Sequence, residues 1–170
     1  MRFQSGLTLI EFVVAIALAA VIVALAAPSL MNLQARRAAD AALSVFTDDL
    51  ALARSEAIKR GNSVTVCSSS DGSTCRGATE WREGWIVYVN APAPRSAGPA
   101  SDVLRVQGPV QGIGSMQATR KSLTFRPTGV GDAVAGHVQV TPQGDTAQMR
   151  LLCVSALGRA SLRPVGTSAC

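Results

Sequence analysis

Aromatic residues make up only 4% of this 170-residue chain, charged residues only 16%, and histidine occurs once, as His137. Each scarcity removes a class of function. With one imidazole, no Gly-x-Ser-x-Gly turn and no His-Glu-x-x-His segment, the common hydrolase arrangements have no residues to build on. Paired carboxylates for acid–base work are also missing, because Asp48 and Asp49 are adjacent in a helical stretch and point in different directions. No Cys-x-x-Cys spacing is present to suggest a metal site, and no cofactor is implied. Sparse charge does not mean disorder, since 48% of the residues are hydrophobic. The length suits one domain with an appendage.

Lysine is almost absent as well: fourteen of the sixteen cations are arginine, and the formal net charge is +5. Residues 1–104 carry nine cations against nine carboxylates, whereas residues 105–170 carry seven (Arg105, Arg120, Lys121, Arg126, Arg150, Arg159, Arg163) against Asp132 and Asp145. The excess therefore lies in the last third. Arginine suits bidentate phosphate contacts, and a basic face also serves simply to keep a domain soluble.

Charge is missing altogether from the 24 residues between Glu11 and Arg36, and Phe12 to Ala27 is an unbroken apolar run. At a rise of about 1.5 Å per residue, Leu7 to Leu33 is long enough as a helix to cross a hydrocarbon core of about 30 Å. A cleaved secretory signal differs from this: it has a basic start, a shorter apolar stretch of about 7–15 residues and a small-x-small site. Here only Met1–Gly6 precedes the run, with Arg2 as its one cation. The positive-inside rule puts Arg2 in the cytoplasm and the body on the far side of the membrane. Glu11 is the anomaly. One helical turn into an apolar segment, an ionised carboxylate costs a few kcal/mol unless it snorkels to the headgroups or finds a partner.

The string Gly6-Leu7-Thr8-Leu9-Ile10-Glu11-Phe12 resembles the processing and assembly signal of type IV pilins and type II secretion pseudopilins. In that family a short leader ends in Gly and the mature chain carries Glu at its fifth position. The resemblance implies cleavage between Gly6 and Leu7 by prepilin peptidase, methylation of the new amine of Leu7, and a meeting of Glu11 with the N-terminal amine of a neighbouring pilin or pseudopilin subunit. It also implies a single-pass protein of the bacterial inner membrane with a periplasmic C-terminal domain, later incorporated into a pilus or pseudopilus.

Beyond Pro28, which favours a bend, the pattern becomes amphipathic. Leu43, Phe46, Leu50, Ala53 and Ala57 recur at steps of three and four, with Asp40, Asp48, Asp49, Arg54 and Glu56 between them. Lys59, Arg60 and Gly61 supply a helix end. One helix is expected from about Leu7 to Arg60. After Gly61 the residues alternate as strands at 64–67, 85–89, 103–106, 123–126, 137–141 and 149–154, with a short seventh at 159–163. Residues 90–101 read as a surface loop and residues 107–115 as a Gly-rich turn region. The expected class is α+β and pilin-like: a long N-terminal helix packed on a mainly antiparallel sheet or small sandwich. The expected divisions are a leader (1–6), a transmembrane assembly helix (7–33), the amphipathic half of the same helix (34–60) and a β-rich periplasmic domain (61–170).

Residues 53–60, Val64-Thr65-Val66-Cys67, Trp81 and Gly84-Trp85-Ile86-Val87-Tyr88-Val89 resemble the GspH/FimT branch of minor pilins and pseudopilins. These are packing residues, so they speak to lineage, and Trp81 and Trp85 are expected as core anchors. The branch serves either a type IV pilus or a type II secretion pseudopilus, and it is not enzymatic. A membrane-anchored periplasmic hydrolase is the remote alternative.

In an oxidising compartment the four cysteines suit two disulfides. Three connectivities are possible. The sequential one, Cys67 with Cys75 and Cys153 with Cys170, staples a short polar turn and ties the C-terminus to a strand. The competing use, a zinc held by Cys67, Cys75, Cys153 and His137, lacks the spacing of such sites.

Some pilus members of the branch bind DNA in natural transformation through a Gly-Arg-x-Arg element near the C-terminus. This chain has Gly158-Arg159-Ala160-Ser161-Leu162-Arg163, so the second arginine falls two residues late. On a strand Arg159 and Arg163 share one face about 13 Å apart, a spacing suited to two backbone phosphates. Arg126, Arg150, Arg120 and Lys121 extend that patch if the fold gathers them, and such binding is independent of base sequence. The alternative is a solvated or subunit-facing basic surface. For the leader, a bulky substitution of Gly6 is expected to leave the chain at precursor length on an immunoblot, and a mature-length band in that variant would refute the assignment.

Overall fold

The computed structural model describes residues 8–90, 102–132, 134–144 and 146–170; along residues 24–29 it describes the helix without its side chains. The expected leader, Leu7 and most of the expected loop at 90–101 lie outside the described residues. The chain divides into two units, Met1–Gln34 and Ala35–Cys170.

A single helix, α1 (Leu9–Arg60), contributes to both units. In the first, Thr8 caps it: its Oγ1 accepts a hydrogen bond from the Glu11 backbone N–H at 3.4 Å, and its carbonyl accepts one from Phe12 N–H at 3.2 Å. Thr8-Leu9-Ile10-Glu11 therefore has the form of a capping box, which satisfies donors that a helix start otherwise leaves open. Every residue from Thr8 to Val23 is exposed, apolar side chains included. Among the described residues no helix is long and apolar enough to cross a membrane; the apolar run of the sequence continues to Ala27, and the side chains of residues 24–29 are not described.

The second unit joins the rest of α1 to two antiparallel sheets. The first has the order β3-β2-β1-β5-β6 and comprises β1 (Val64–Ser68), β2 (Trp85–Val89), β3 (Val103–Gln107), β5 (Ser122–Phe125) and β6 (Gly131–Asp132). The second has the order β4-β7-β8-β9, from β4 (Ile113–Ala118), β7 (Gly136–Pro142), β8 (Arg150–Val154) and β9 (Ala160–Leu162). A 3-10 turn at Thr146–Gln148 leads into β8. Gly61, at φ 63°, stops the helix in the left-handed conformation that glycine adopts freely.

One apolar cluster serves all three layers. Ala39, Ala42, Leu43, Phe46, Leu50, Ala53 and Ala57 of the helix meet Val64 and Val66 of β1, Leu123 and Phe125 of β5, Met116 of β4 and Leu152 of β8. The stripe read from the sequence is thus the face that packs. Trp81 and Trp85 are buried with it, and both rings stand edge-on to Phe46, at centroid distances of 5.4 and 5.2 Å.

β4 departs from expectation, since it occupies part of the segment read as a turn region. Its residues, Ile113-Gly114-Ser115-Met116-Gln117-Ala118, are mostly poor strand formers, and an irregularity between Ile113 and Ser115 breaks the alternation. Its outer edge is covered by the segment before β2: Ala118 N–H donates to Thr79 O at 2.9 Å, Trp81 N–H to Met116 O at 2.8 Å, and Met116 N–H to the Glu80 carboxylate at 2.9 Å. Covering an edge in this way removes a site for unwanted pairing.

Asp49, one of the polar positions of the helix, is only 2% exposed. Its carboxylate accepts hydrogen bonds from Trp85 Nε1 at 2.7 Å and pairs with Arg105 Nε at 3.1 Å. Burial raises its pKa above the ordinary 3.8; the Trp85 hydrogen bond and Arg105 oppose that rise without cancelling it, and Asp48 adds to it. A carboxyl whose folded pKa is raised favours the folded state while protonated and loses that advantage as pH climbs through the folded value. Asp49→Asn removes this titration. In thermal melts from about pH 4 to about pH 7, the stability of wild type minus that of Asp49→Asn is expected to fall as pH rises; a constant or rising difference contradicts the assignment.

Candidate functional site

Two regions carry the residues singled out from the sequence. In the first, Gly6 and Leu7 lie outside the described residues. Glu11 is exposed in the first turn of α1, and its carboxylate has no partner among the described residues.

The second region is the β8–β9 hairpin. Ser155 N–H donates to Arg159 O at 2.9 Å and Arg163 N–H to Leu151 O at 2.8 Å, so the ladder extends one residue beyond each end of β9. Cys153 is opposite Ser161, which puts Arg159, Ser161 and Arg163 on one face with Leu151 and Cys153. Leu152 and Val154 point the other way, into the core. The two arginines therefore share a face, four residues apart.

Gly158 holds the turn of that hairpin. It adopts φ 72°, and a Cβ there would lie 2.4 Å from Cε1 of Phe125. Both the conformation and the close approach demand glycine. The glycine before Arg159 thus has a packing role that is independent of any ligand.

The six cations are unequal. Arg150 Nε bonds Asp40 Oδ1 at 2.7 Å, and Arg150 Nη1 bonds the carbonyl of Arg163 at 3.4 Å. Arg126 pairs with Asp132 at 3.0 Å. Arg120 Nε donates to Ala135 O at 3.3 Å, and Arg163 Nε to Cys153 Sγ at 3.4 Å. Lys121 and Arg159 are exposed, and their side chains have no partner among the described residues. Of the six, Arg150 and Arg163 are brought into direct contact, while Arg120 and Lys121 sit on the β4–β5 turn and Arg126 at the end of β5. Asp40 escaped the sequence reading as a partner of Arg150 because 110 residues separate them and no local pattern links them.

The sulfurs are joined in sequential order, Cys67 to Cys75 and Cys153 to Cys170. All four are thus bonded and offer no thiolate, which sets aside the zinc arrangement. Within the first loop Asp71 accepts from Thr74 Oγ1, from the Thr74 and Ser73 N–H groups and from Ser69 Oγ, and these bonds hold its carboxyl well below the usual range. The second disulfide draws the tail over the outer face of the second sheet, where Gly166 N–H reaches Met149 O at 3.4 Å and Leu151 is fully buried. His137 lies in β7 opposite Cys153, and its backbone N–H donates to Thr119 Oγ1 at 3.0 Å.

The sequence matches the family model of the type II transport protein GspH over residues 42–158, and that of the prokaryotic N-terminal methylation motif over residues 1–27. No curated protein matches it at a significant level. Among solved structures it is similar to the type IV minor pilin FimU of Pseudomonas aeruginosa, with 21% identity and a TM-score of 0.59 over 76% of this chain and 90% of FimU. It is also similar to the minor pseudopilin EpsH from the type II secretion system of Vibrio cholerae, with 14% identity and a TM-score of 0.52 over 76% of this chain and 98% of EpsH. At such identities the likeness is one of fold.

Proposed function

Because the chain belongs to the GspH family of minor pilins and pseudopilins, we propose that it is a minor pilin of a type IV pilus. It is processed by prepilin peptidase between Gly6 and Leu7 and assembled through its N-terminal helix. The observation that carries this reading is the presence in one chain, in order, of the methylation motif and the GspH body. A minor pseudopilin of a type II secretion system is the alternative, since the family and the fold are common to both machines.

The physical logic of assembly lies in the first unit. A helix with apolar side chains exposed all round needs lipid or other helices as its surroundings. The uncharged run makes it an inner-membrane anchor before assembly, with the body in the periplasm, and packing against neighbouring subunits afterwards. Glu11 is costly in either setting unless a cation meets it, and the methylated amine of an adjacent subunit is a cation at the right depth. This role requires no chemical step by the protein itself.

The test is deletion and complementation in the source bacterium, scoring surface pili and, separately, secreted protein. Wild type is expected to restore piliation and Glu11→Ala to fail while accumulating to normal levels. Loss of secretion with pili intact would instead assign the chain to the secretion machine.

A DNA-binding role is a second reading, favoured by the common face of Arg159 and Arg163. With Arg150 and Arg126 engaged by carboxylates, it rests mainly on that pair; among the described residues no contact brings Arg120 or Lys121 to it. The full chain in detergent is expected to retard double-stranded DNA at low salt and lose that retardation in the Arg159→Ala, Arg163→Ala double variant. Unchanged retardation removes these arginines as the site.

A further inference from the structure

The two disulfides differ in what surrounds them. Cys67 is fully buried and Cys75 half-buried, and the loop between them has other ties: Arg76 N–H donates to Ser68 O at 2.8 Å, Ser68 Oγ donates to Ala78 O at 2.9 Å, and Asp71 gathers four donors. In the second disulfide Cys153 is buried and Cys170 exposed. The tail reaches β8 through Arg163 N–H on Leu151 O and Gly166 N–H on Met149 O. Beyond Gly166 no hydrogen bond ties it to the sheet among the described residues, and the bond from Cys170 to Cys153 is its one link. Four residues lead from Gly166, level with Met149, to Cys170, level with Cys153, and those two positions are about 13 Å apart along the strand. The tail therefore passes over Leu151, which lies between them, stands outside the core cluster and is nevertheless fully buried. Against the buried sulfur lies a cation, since Arg163 Nε donates to Cys153 Sγ at 3.4 Å.

We propose that Cys153–Cys170 is a thiol–disulfide exchange site for a dithiol, and that the tail is the strap it releases. In such exchange a thiolate attacks one sulfur and the other leaves as a thiolate, faster the better its charge is stabilised. Exposure directs the attack to Cys170, and the guanidinium on Cys153 favours the thiolate form of the sulfur that leaves. The first thiolate of the dithiol bonds to Cys170 Sγ while the Cys153–Cys170 bond breaks, its electron pair passing to Cys153 Sγ. The second thiolate then attacks the first within the mixed disulfide and releases Cys170. The dithiol is oxidised by two electrons to a disulfide, the protein is reduced by two, and the two thiol protons end on Cys153 and Cys170. A dithiol is the fitting class because it brings the second thiol with it. Cys67–Cys75 lacks both features, having no exposed cysteine and no cation on either sulfur among the described residues. Opening leaves the tail held at Arg163 and Gly166 alone and uncovers Leu151, while β8 keeps its pairing with β7. Nothing in this chemistry depends on the filament in which the chain is placed.

The test uses the full chain in detergent, treated with reduced dithiothreitol as a small dithiol, reduced thioredoxin as a protein dithiol, or reduced glutathione as a monothiol. Samples are quenched in acid, alkylated and read by peptide mass spectrometry. Cys153–Cys170 is expected to open about tenfold or more faster than Cys67–Cys75. Opening by thioredoxin as well as by dithiothreitol assigns the site to a protein dithiol, and opening by dithiothreitol alone to a small one. Glutathione is expected to be trapped on Cys170, with Cys153 alkylated. Arg163→Gln is expected to slow opening about threefold or more, and Arg163→Lys, which keeps the cation, to restore the rate. Were Arg163 only a packing contact for the tail, its loss would speed opening instead. After opening, the amides of Arg163 and Gly166 are expected to exchange hydrogen faster while those of Val66 and Val87 keep their protection, which separates release of the strap from unfolding. Glutathione found on Cys153, equal rates for the two disulfides, unchanged or faster opening in Arg163→Gln, or tail amides indifferent to reduction overturns the proposal.

Discussion

Phe46 meets Trp81 and Trp85 edge-on, and the body of the protein depends on that contact. The chain has seven aromatic residues, and three of them are placed together at this point. Edge-on pairs add about 0.5–1.5 kcal/mol each beyond the area they bury. More important is what they connect: a helix residue, the segment that seals the edge of β4, and the first residue of β2. Alanines at 39, 42, 53 and 57 let the helix lie close on either side of this wedge. Both indole nitrogens are satisfied, by the Arg120 carbonyl and by Asp49, so the large rings enter the core without leaving a polar atom unpaired.

Asp49 carries the cost of this arrangement. A buried carboxylate is unfavourable by itself, and here it is retained by two donors that come from different strands, Trp85 on β2 and Arg105 on β3. β3 is an edge strand with little buried surface. Asp102, just before it, reaches Arg60 at 2.7 Å, so the strand is linked to the helix twice, with opposite polarity. The exposed pair contributes little by itself. The Asp49–Arg105 pair, buried at its carboxylate and half exposed at its guanidinium, ties the strand to a particular helix residue, a registry role of the kind attested for buried polar groups elsewhere.

The elements readable in the sequence were those whose periodicity reflects burial of one face. The stripe from Leu43 to Ala57 belongs to this group, whereas β1 and β2, buried on both faces, were legible as short runs of strand-forming residues, and the cysteines from their number and order. β4 was hidden because Gly114 and Ser115 interrupt its alternation, and β6 because two residues show no period. The site divides on the same principle. Pattern-bearing features such as Glu11 in an apolar run, or a glycine before an arginine, stand out along the chain. Which arginines are already occupied does not, since Asp40 meets Arg150 and Asp132 meets Arg126 only through the fold.

The C-terminal hairpin shows how a surface motif becomes dependent on the core. Arg159 follows Gly158, whose missing side chain lets Phe125 approach, and Phe125 belongs to the cluster organised by Phe46. At the other end of β9, Arg163 lies on the sulfur of Cys153, which the disulfide to Cys170 holds under the tail. The two arginines are therefore positioned by different devices, one by packing and one by a covalent crosslink. Reduction of the crosslink acts on Arg163 and the tail, whereas a side chain at position 158 acts on Arg159 and the core. A partner that needed only Arg159 would tolerate the first change and not the second, and one that needed both arginines on one face would tolerate neither.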